Sequence, residues 1–326
     1  MNNNQNLNLE LLSPAGSLEC AKVALNAGAD AIYMGGAKFG ARAFAKSVEE
    51  DSVIDAIKLV KSKNKKFYLT VNTLFKQKEL KEIFLYLDPI VKESVDAFIV
   101  QDLGVAMILK EKYPDVELHA STQMTITSSK AINMLKNLGF SQVVLSRELT
   151  IKEIKEIRKE VDNDMRLEAF IHGSMCYSYS GACLMSSFIG GESGNRGRCK
   201  GPCRLPYNLP NVNRIKYNEK YLLSMKDMCA LNQLHNLIKA GITSFKIEGR
   251  MRQADYVEGV TKIYRKYLDI IIKSYNSKIE MTDSNIINDD MIKNDEKYLL
   301  NLYNKGGFTN YYNNHNSYDM IQRFER

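Results

Sequence analysis

Five of the six cysteines in this sequence lie between residues 176 and 229. Six residues separate Cys176 from Cys183, and three separate Cys199 from Cys203. Thiolates are soft ligands, and four of them can hold either a zinc ion or an iron–sulfur cluster. Structural zinc usually takes closely spaced cysteine pairs, and only Cys199 and Cys203 form one. The wider spacings therefore favour a cluster with four cysteine ligands.

The spacing leaves other assignments of these thiols open. Four thiolates hold [2Fe-2S] and [4Fe-4S] clusters alike. Free cysteine is also among the most buried residue types, so inert core thiols are an alternative. The glycine-rich, polar surroundings of the five clustered cysteines argue against that alternative. Cys20 differs, since it lies on the apolar face of the first predicted helix and is expected to be a core residue.

Polar side chains also alternate along three predicted strands. Residues two apart on a strand share a face, so each set is expected to point in one direction. Charged side chains are rarely buried unless paired, so the third set either binds an anionic ligand or forms internal ion pairs. The three sets are His119, Ser121 and Gln123; Glu168, Phe170 and His172; and Lys246, Glu248 and Arg250.

These positions provide the candidate site residues. His172 lies near the cysteines in the sequence and could act as a general acid or base. A hydrogen-bonded histidine in the core is an equally good interpretation of it. Arg147 and Glu148, at the end of another strand, clamp a carboxylate or each other. The predicted catalytic residues are His119, Gln123, Glu168, His172 and Glu248, and the predicted substrate-binding residues are Arg42, Asn72, Arg147, Lys246 and Arg250.

Eight short apolar runs position these residues, and each is typical of a strand. Helical periodicity lies between them, as parallel strands require. We predict an α/β fold of the (β/α)8 TIM-barrel type, with a doubly wound open sheet as the competing topology. The runs are ELLSPAG, AIYMGG, FYLTVNT, AFIVQD, ELHASTQ, QVVLSRE, LEAFIHG and SFKIEGR.

One break in the spacing predicts an insertion before the last strand. The seventh and eighth runs are separated by residues 174–243, whereas a crossover unit needs roughly thirty residues. We therefore predict a barrel domain over 1–273 with a cysteine- and glycine-rich insertion at 173–243. A polar linker and a C-terminal tail segment are expected over 274–326, the linker spanning 274–296.

Composition restricts the functional classes. Lys and Arg total 45 against 38 Asp and Glu, giving a net charge of +7 that permits RNA binding. Four of those cations stand in the segment RGRCKGPCR, which could contact a phosphate chain or simply be solvated. The N-terminal residues lack a secretory pattern, and no apolar run is long enough to span a membrane. A cytoplasmic protein without disulfides is expected.

Several motifs resemble one known family along nearly the whole chain. The stretch from Glu168 to Ser186 looks like the signature of the collagenase-like peptidase family of unknown catalytic type, peptidase family U32. Further segments resemble the same family: ELLSPAGS, YMGG, VNT, HASTQ, LSRE and FKIEGRMR. Its members have been assigned both as proteases and as oxygen-independent hydroxylases of tRNA wobble uridine, ribosomal RNA or ubiquinone precursors.

The resemblance implies a cofactor and its ligands. In the hydroxylating branch it implies a [4Fe-4S] cluster held by four cysteines, with prephenate as hydroxyl donor in the RNA-modifying members. Carried over by motif, the ligands are Cys176, Cys183, Cys199 and Cys229, with Cys203 as the leading substitute for Cys199 or Cys229. Some members work in pairs, so a paralogous partner subunit is a further expectation.

Three functional hypotheses follow from these features. The first is iron–sulfur-dependent, oxygen-independent hydroxylation of RNA, with tRNA wobble uridine as the first candidate and a small anionic donor. The second is proteolysis, for which the sequence has neither a GxSxG nor an HExxH motif. The third is an assembly protein that binds RNA or a partner and has a structural metal loop.

Overall fold

The computed structural model describes residues 7–36, 38–40, 50–207, 221–277, 287–309, 312 and 320. Within them, ten strands are formed: β1 (Glu10–Ala15), β2 (Ala31–Gly35), β3 (Lys66–Val71), β4 (Ala97–Val100), β5 (Glu117–Ala120), β6 (Phe140–Val144), β7 (Arg166–Ser174), β8 (Asp227–Cys229), β9 (Ser244–Ile247) and β10 (Phe308–Thr309).

The same part of the chain forms ten α-helices. They are α1 (Leu18–Asn26), α2 (Glu50–Ser62), α3 (Ile83–Val91), α4 (Leu103–Lys112), α5 (Ser129–Asn137), α6 (Ile151–Lys159), α7 (Met185–Gly190), α8 (Leu234–Lys239), α9 (Ala254–Asn276) and α10 (Asp289–Leu302). None of these helices combines the length and the apolarity needed to cross a bilayer.

Eight parallel strands close into a barrel. β1 to β7 pair in chain order, β9 pairs with both β7 and β1, and all of these pairings are parallel. This closure confirms the predicted (β/α)8 fold and excludes the open doubly wound sheet. Each of the eight predicted runs overlaps one barrel strand.

Local sequence fixes where several of the crossover helices begin. The side chains of Ser17, Asp102 and Ser128 accept hydrogen bonds from backbone N–H groups in the first turns of α1, α4 and α5. Thr150 and Glu153 form a capping box at α6. Such caps satisfy N–H groups that have no partner within the helix, so each strand leads into a helix at a defined residue.

Two apolar layers stabilise the barrel. A small cluster that includes Leu12, Tyr33, Tyr68 and Ile99 fills its interior, and a larger one lies between the strands and the surrounding helices. The interior is thus a packed core, and space for a ligand remains only at its ends.

The predicted insertion contains a strand that the sequence pattern did not reveal. β8 pairs antiparallel with the end of β7, and β10 pairs with β8. The C-terminal residues therefore extend the sheet beyond the barrel. The hydroxyl of Tyr312 also donates to the carbonyl of Phe170, which fastens this part of the chain to β7.

The predicted linker is in part a helix. α9 continues past residue 273, and α10 begins at Asp289, within the range that was predicted to be irregular. Leu299 of α10 is fully buried, and Met291, Ile292 and Leu302 pack against the main core. Numerous Asn, Asp and Lys residues obscure this apolar stripe in the sequence, and packing on α9 stabilises the helix nevertheless.

Candidate functional site

A cavity opens at the C-terminal ends of the barrel strands. It encloses about 680 Å³, including its open mouth. Side chains from seven strands or the loops that follow them meet there. Of the predicted site residues, Asn72, Gln123, Arg147, Cys176, Lys246, Glu248 and Arg250 line this mouth cavity.

A buried ion pair lies beside the mouth cavity, and its Lys246 is one of the lining residues. Lys246 Nζ donates to Glu168 Oε1 at 2.6 Å, and both side chains are almost fully buried. Glu168 also accepts hydrogen bonds from Gln142 and Ser244. Burial lowers the pKa of Lys246, and the neighbouring carboxylate of Glu168 opposes that shift. Lys246 therefore belongs to an internal ion pair and borders the cavity at the same time.

Arg250 extends the positive surface toward the opening. Its Nη1 donates to Thr70 Oγ1 at 2.5 Å, and its guanidinium lies 5.9 Å from the centroid of the Tyr33 ring. A Cβ atom at Gly35 would stand 2.5 Å from this Nη1. The glycine at the end of β2 is thus required for Arg250 to cross the barrel mouth.

Arg147 borders the other side of the cavity. Its Nη1 donates to the carbonyl of Ser174, and its guanidinium stacks 4.3 Å from the centroid of the Phe170 ring. Glu148 does not pair with Arg147, but accepts hydrogen bonds from the backbone and hydroxyl of Ser180. The predicted clamp between these two adjacent residues is replaced by an anchor for the cysteine loop.

His119 lies away from the mouth cavity. Its Nε2 is 3.0 Å from Glu117 Oε2 and 3.1 Å from Arg166 Nη2, both at the N-terminal ends of their strands. Burial lowers its pKa, and the hydrogen bond with Glu117 opposes that shift. His119 lies on β5 two residues before Ser121 and is deeper in the barrel, toward its N-terminal end. It is therefore away from the predicted proton-transfer site.

His172 also points away from the cavity. The pairing of β7 with β9 shifts between Phe170 and His172, and a bulge of this kind redirects the side chains that follow it. The ring of His172 packs between the strands and α9, with Nδ1 3.3 Å from the Tyr264 hydroxyl. Burial lowers its pKa to about 3. The prediction that Glu168, Phe170 and His172 share one face is wrong for His172.

The cysteine loop, residues 175–207, covers one side of the cavity and is tied to the barrel at several points. Arg196 donates to both carboxylate oxygens of Glu79, which holds the pKa of that carboxyl at about 2. Thr125 Oγ1 donates to the carbonyl of Ser180, and Arg204 donates to the carbonyls of Met175 and Met225. These contacts fix the loop beside the mouth.

The structure gathers Cys203 with three of the predicted ligands. Burial raises the pKa of the Cys203 thiol, and the nearby thiols of Cys176, Cys199 and Cys183 raise it further. Hydrogen-bond donors point at one sulfur atom: the Gly201 N–H lies 3.4 Å from Cys199 Sγ, and the Ser186 hydroxyl at 3.8 Å. Donors of this kind stabilise a thiolate, so the group fits a thiolate-ligated metal.

The four thiols of the cysteine loop do not surround a common position. In the described residues, no three His, Cys, Asp or Glu side chains converge as a metal site does. Cys176 and Cys199 are exposed, while Cys183 and Cys203 are half-buried. Binding a cluster would therefore require the loop to draw its four thiols inward.

Cys229 stands apart from that group. It lies on β8 opposite His172, is 3% exposed, and has its Sγ 3.7 Å from the Tyr264 hydroxyl. Burial raises the pKa of its thiol to about 12. Cys229 is thus a buried thiol outside the cysteine loop, whereas Cys203 is half-buried within it.

Two further placements complete the predicted set. Asn72 Nδ2 lies 3.4 Å from Ser121 Oγ at the cavity wall, and Arg42 falls outside the described residues. Sequence reasoning missed Tyr33 and Thr70 as lining residues. The signal for Tyr33 and Thr70 was strand alternation, which turns both of them inward.

These features define a TIM-barrel protein with a cationic mouth cavity and a thiol-rich loop beside it. Peptidase family U32 matches residues 16–322, and the chain belongs to that family. A solved U32 peptidase structure superimposes with a TM-score of 0.51 at 12% identity, covering 76% of this chain and 95% of that one. That likeness supports the barrel fold, and the match confirms the family predicted from the motifs.

Curated relatives have three kinds of names. An uncharacterized protease of Methanocaldococcus jannaschii is 38% identical, covering 93% of this chain and 73% of the relative. A 23S rRNA 5-hydroxycytidine synthase of Escherichia coli is 42% identical, covering 81% of this chain and 40% of the relative. A tRNA hydroxylation protein of Bacillus subtilis is 35% identical, covering 80% of this chain and 63% of the relative.

Proposed function

We propose that this chain is an RNA-modifying enzyme that hydroxylates a nucleobase without molecular oxygen. The observation that carries the proposal is one cavity bordered by Cys176 of the thiol loop and by Arg147, Lys246 and Arg250. Similarity to relatives named for rRNA and tRNA hydroxylation supports RNA as the substrate class. A tRNA wobble uridine is the first candidate position.

The loop thiols are the proposed ligands of a [4Fe-4S] cluster. Cys176, Cys183 and Cys199 are common to the gathered group and to the family pattern, and either Cys203 or Cys229 completes the set. When bound, such a cluster supplies one-electron chemistry beside the cavity. Thr125, Glu148 and Arg196 hold the loop that presents the thiols.

The cationic residues suit a small anionic hydroxyl donor, for which prephenate is the proposed compound. Lys246 and Arg250 would orient its carboxylate groups, and Arg147 would exclude water from the opposite wall. Overall, a base C–H and a donor C–OH become a base C–OH and a donor C–H, which balances atoms and electrons without oxygen. Glu248, at the cavity wall, is the proposed proton acceptor.

Proteolysis is the second candidate, because some relatives are named as proteases. A cysteine peptidase would place a histidine next to its nucleophile. Cys176 borders the cavity, whereas His119 pairs with Glu117 and His172 packs against α9. The geometry therefore supports the RNA-modifying proposal better.

The proposed cofactor can be tested on protein purified without oxygen. We expect a coloured protein with about four irons per chain after reconstitution. Cys176→Ala, Cys183→Ala and Cys199→Ala should each lose most of the iron and sulfide. Cys203→Ala and Cys229→Ala decide the fourth ligand, since only one of them should behave like those three variants.

Cys20→Ala is the matched control for these substitutions. Cys20 is a buried thiol on α1, with Sγ 3.6 Å from the carbonyl of Arg252, and it lies outside the cysteine loop. This variant should keep its iron. A wild-type chain that stays colourless and binds no iron after reconstitution would contradict the cofactor proposal.

A further inference from the structure

A second open space adjoins the mouth cavity. Arg147, Cys176 and Ser180 line both spaces, so the two lie side by side. Tyr177 and Tyr179 line the second one and are 51% and 61% exposed. We call this space the tyrosine groove. A flat substrate that lies in this groove would contact the two tyrosine rings beside the mouth cavity.

The inner end of this path has unused hydrogen-bonding atoms. Gln123 Oε1 and Arg147 Nε are buried and have no hydrogen-bond partner among the described residues. One atom accepts a hydrogen bond and the other donates one, and Arg147 also stacks on Phe170. Unsatisfied buried polar atoms are costly, and a nucleobase edge offers one donor and one acceptor side by side.

The cysteine loop that carries both tyrosines has an excess of basic residues, which favours contact with a phosphate chain. Residues 173–207 contain four basic residues, Arg196, Arg198, Lys200 and Arg204, and a single acidic one, Glu192. Lys200 is exposed, and Arg198 lies 3.5 Å from Glu192 with its side chain largely in solvent. Favourable charge and exposed aromatic rings together are typical of surfaces that bind single-stranded nucleic acid.

We propose that the RNA binds here as a single strand, with the target nucleotide unstacked into the mouth cavity and its neighbouring bases stacked on Tyr177 and Tyr179. This inference rests on the proposed function and specifies the form of its substrate. A base inside a duplex cannot reach Gln123 or Arg147, because its edge is paired and its faces are stacked. The enzyme therefore selects loops and unpaired ends.

The inference can be tested by fluorescence anisotropy with a labelled, mixed-sequence single-stranded RNA of about 12 nucleotides. The same strand annealed to its complement provides the duplex comparison. We expect Tyr177→Leu and Tyr179→Leu each to weaken single-strand binding roughly 5- to 100-fold, whereas Tyr→Phe at either position keeps most of the affinity.

Phe188→Leu is the matched control, since Phe188 is an exposed aromatic residue of the same loop that lines neither space. It should leave RNA affinity unchanged. Equal binding of single-stranded and duplex RNA, or unchanged affinity in both tyrosine variants, would overturn the inference. A loss confined to Phe188→Leu would also overturn it, because the RNA would then contact α7 and not the tyrosine groove.

A parallel assay separates this inference from the proposed function. Nucleosides are analysed after incubation of reconstituted wild-type protein with RNA and donor. If wild type hydroxylates RNA while the leucine variants bind and react normally, only the groove inference fails. If wild type binds single strands through the tyrosines but forms no hydroxylated nucleoside, the proposed reaction is wrong and the inference about the tyrosine groove stands.

Discussion

Lys246→Met is expected to lower the free energy of unfolding by about 3 to 5 kcal/mol at neutral pH. The substitution leaves the Glu168 carboxylate fully buried without its cationic partner, which lies 2.6 Å away in the native protein. Chemical denaturation followed by circular dichroism measures the change. Removal of the cation should also abolish binding of a small anionic donor in the mouth cavity.

A second substitution that removes the charge of Glu168 tests the cause of this loss. The double variant Glu168→Gln/Lys246→Met should recover much of the lost stability at neutral pH.

A surface pair provides the control for this prediction. Lys159 lies 2.8 Å from Glu156, and both side chains are exposed. Lys159→Met should therefore change stability by less than about 0.5 kcal/mol. If Lys246→Met has the same free energy of unfolding as this control, the buried pair does not stabilise the barrel.

Gly181→Ala is expected to remove most of the iron-binding capacity while leaving the barrel folded. Gly181 has a φ of +78°, and a Cβ atom there would overlap the carbonyl of Gln123. The segment between Cys176 and Cys183 must then move away from the mouth. Iron per chain after anaerobic reconstitution, together with the thermal unfolding midpoint, measures both effects.

Gly191→Ala isolates the effect of close packing. Gly191 also has a positive φ, +65°, but nothing lies within 4 Å of an added Cβ atom. Its variant has the same kind of backbone strain without the collision, so it should retain much more iron than Gly181→Ala. Equal iron in the two variants would mean that the contact of Gly181 with Gln123 does not position the thiols.

The barrel could be predicted from the sequence because its signals are local. Short apolar runs revealed all eight barrel strands, and alternation along them predicted which polar side chains share a face. Glu248 and Arg250 were also correctly expected at the same opening, since the ends of parallel strands meet at one edge. A fold made of short repeated strand and helix units leaves this pattern in the chain.

Features that depend on pairing register and on tertiary packing could not be predicted in this way. The bulge that turns His172 outward has no mark in the alternation of β7, and it shows only in the pairing with β9. Spacing alone likewise could not distinguish Cys203 from Cys229, because the fold of the insertion decides which thiols meet. β8 is only three residues long and depends on β7 and β10 for its hydrogen bonds.

The central claim is tested most directly by the nucleosides of RNA from cells that lack this protein. The cells are grown without oxygen and supplied with the wild-type gene, with Cys176→Ala or with an empty vector. Mass spectrometry of digested tRNA and ribosomal RNA should show a pyrimidine nucleoside heavier by one oxygen atom only with wild type. Identical nucleoside profiles in all three strains would contradict RNA hydroxylation by this chain.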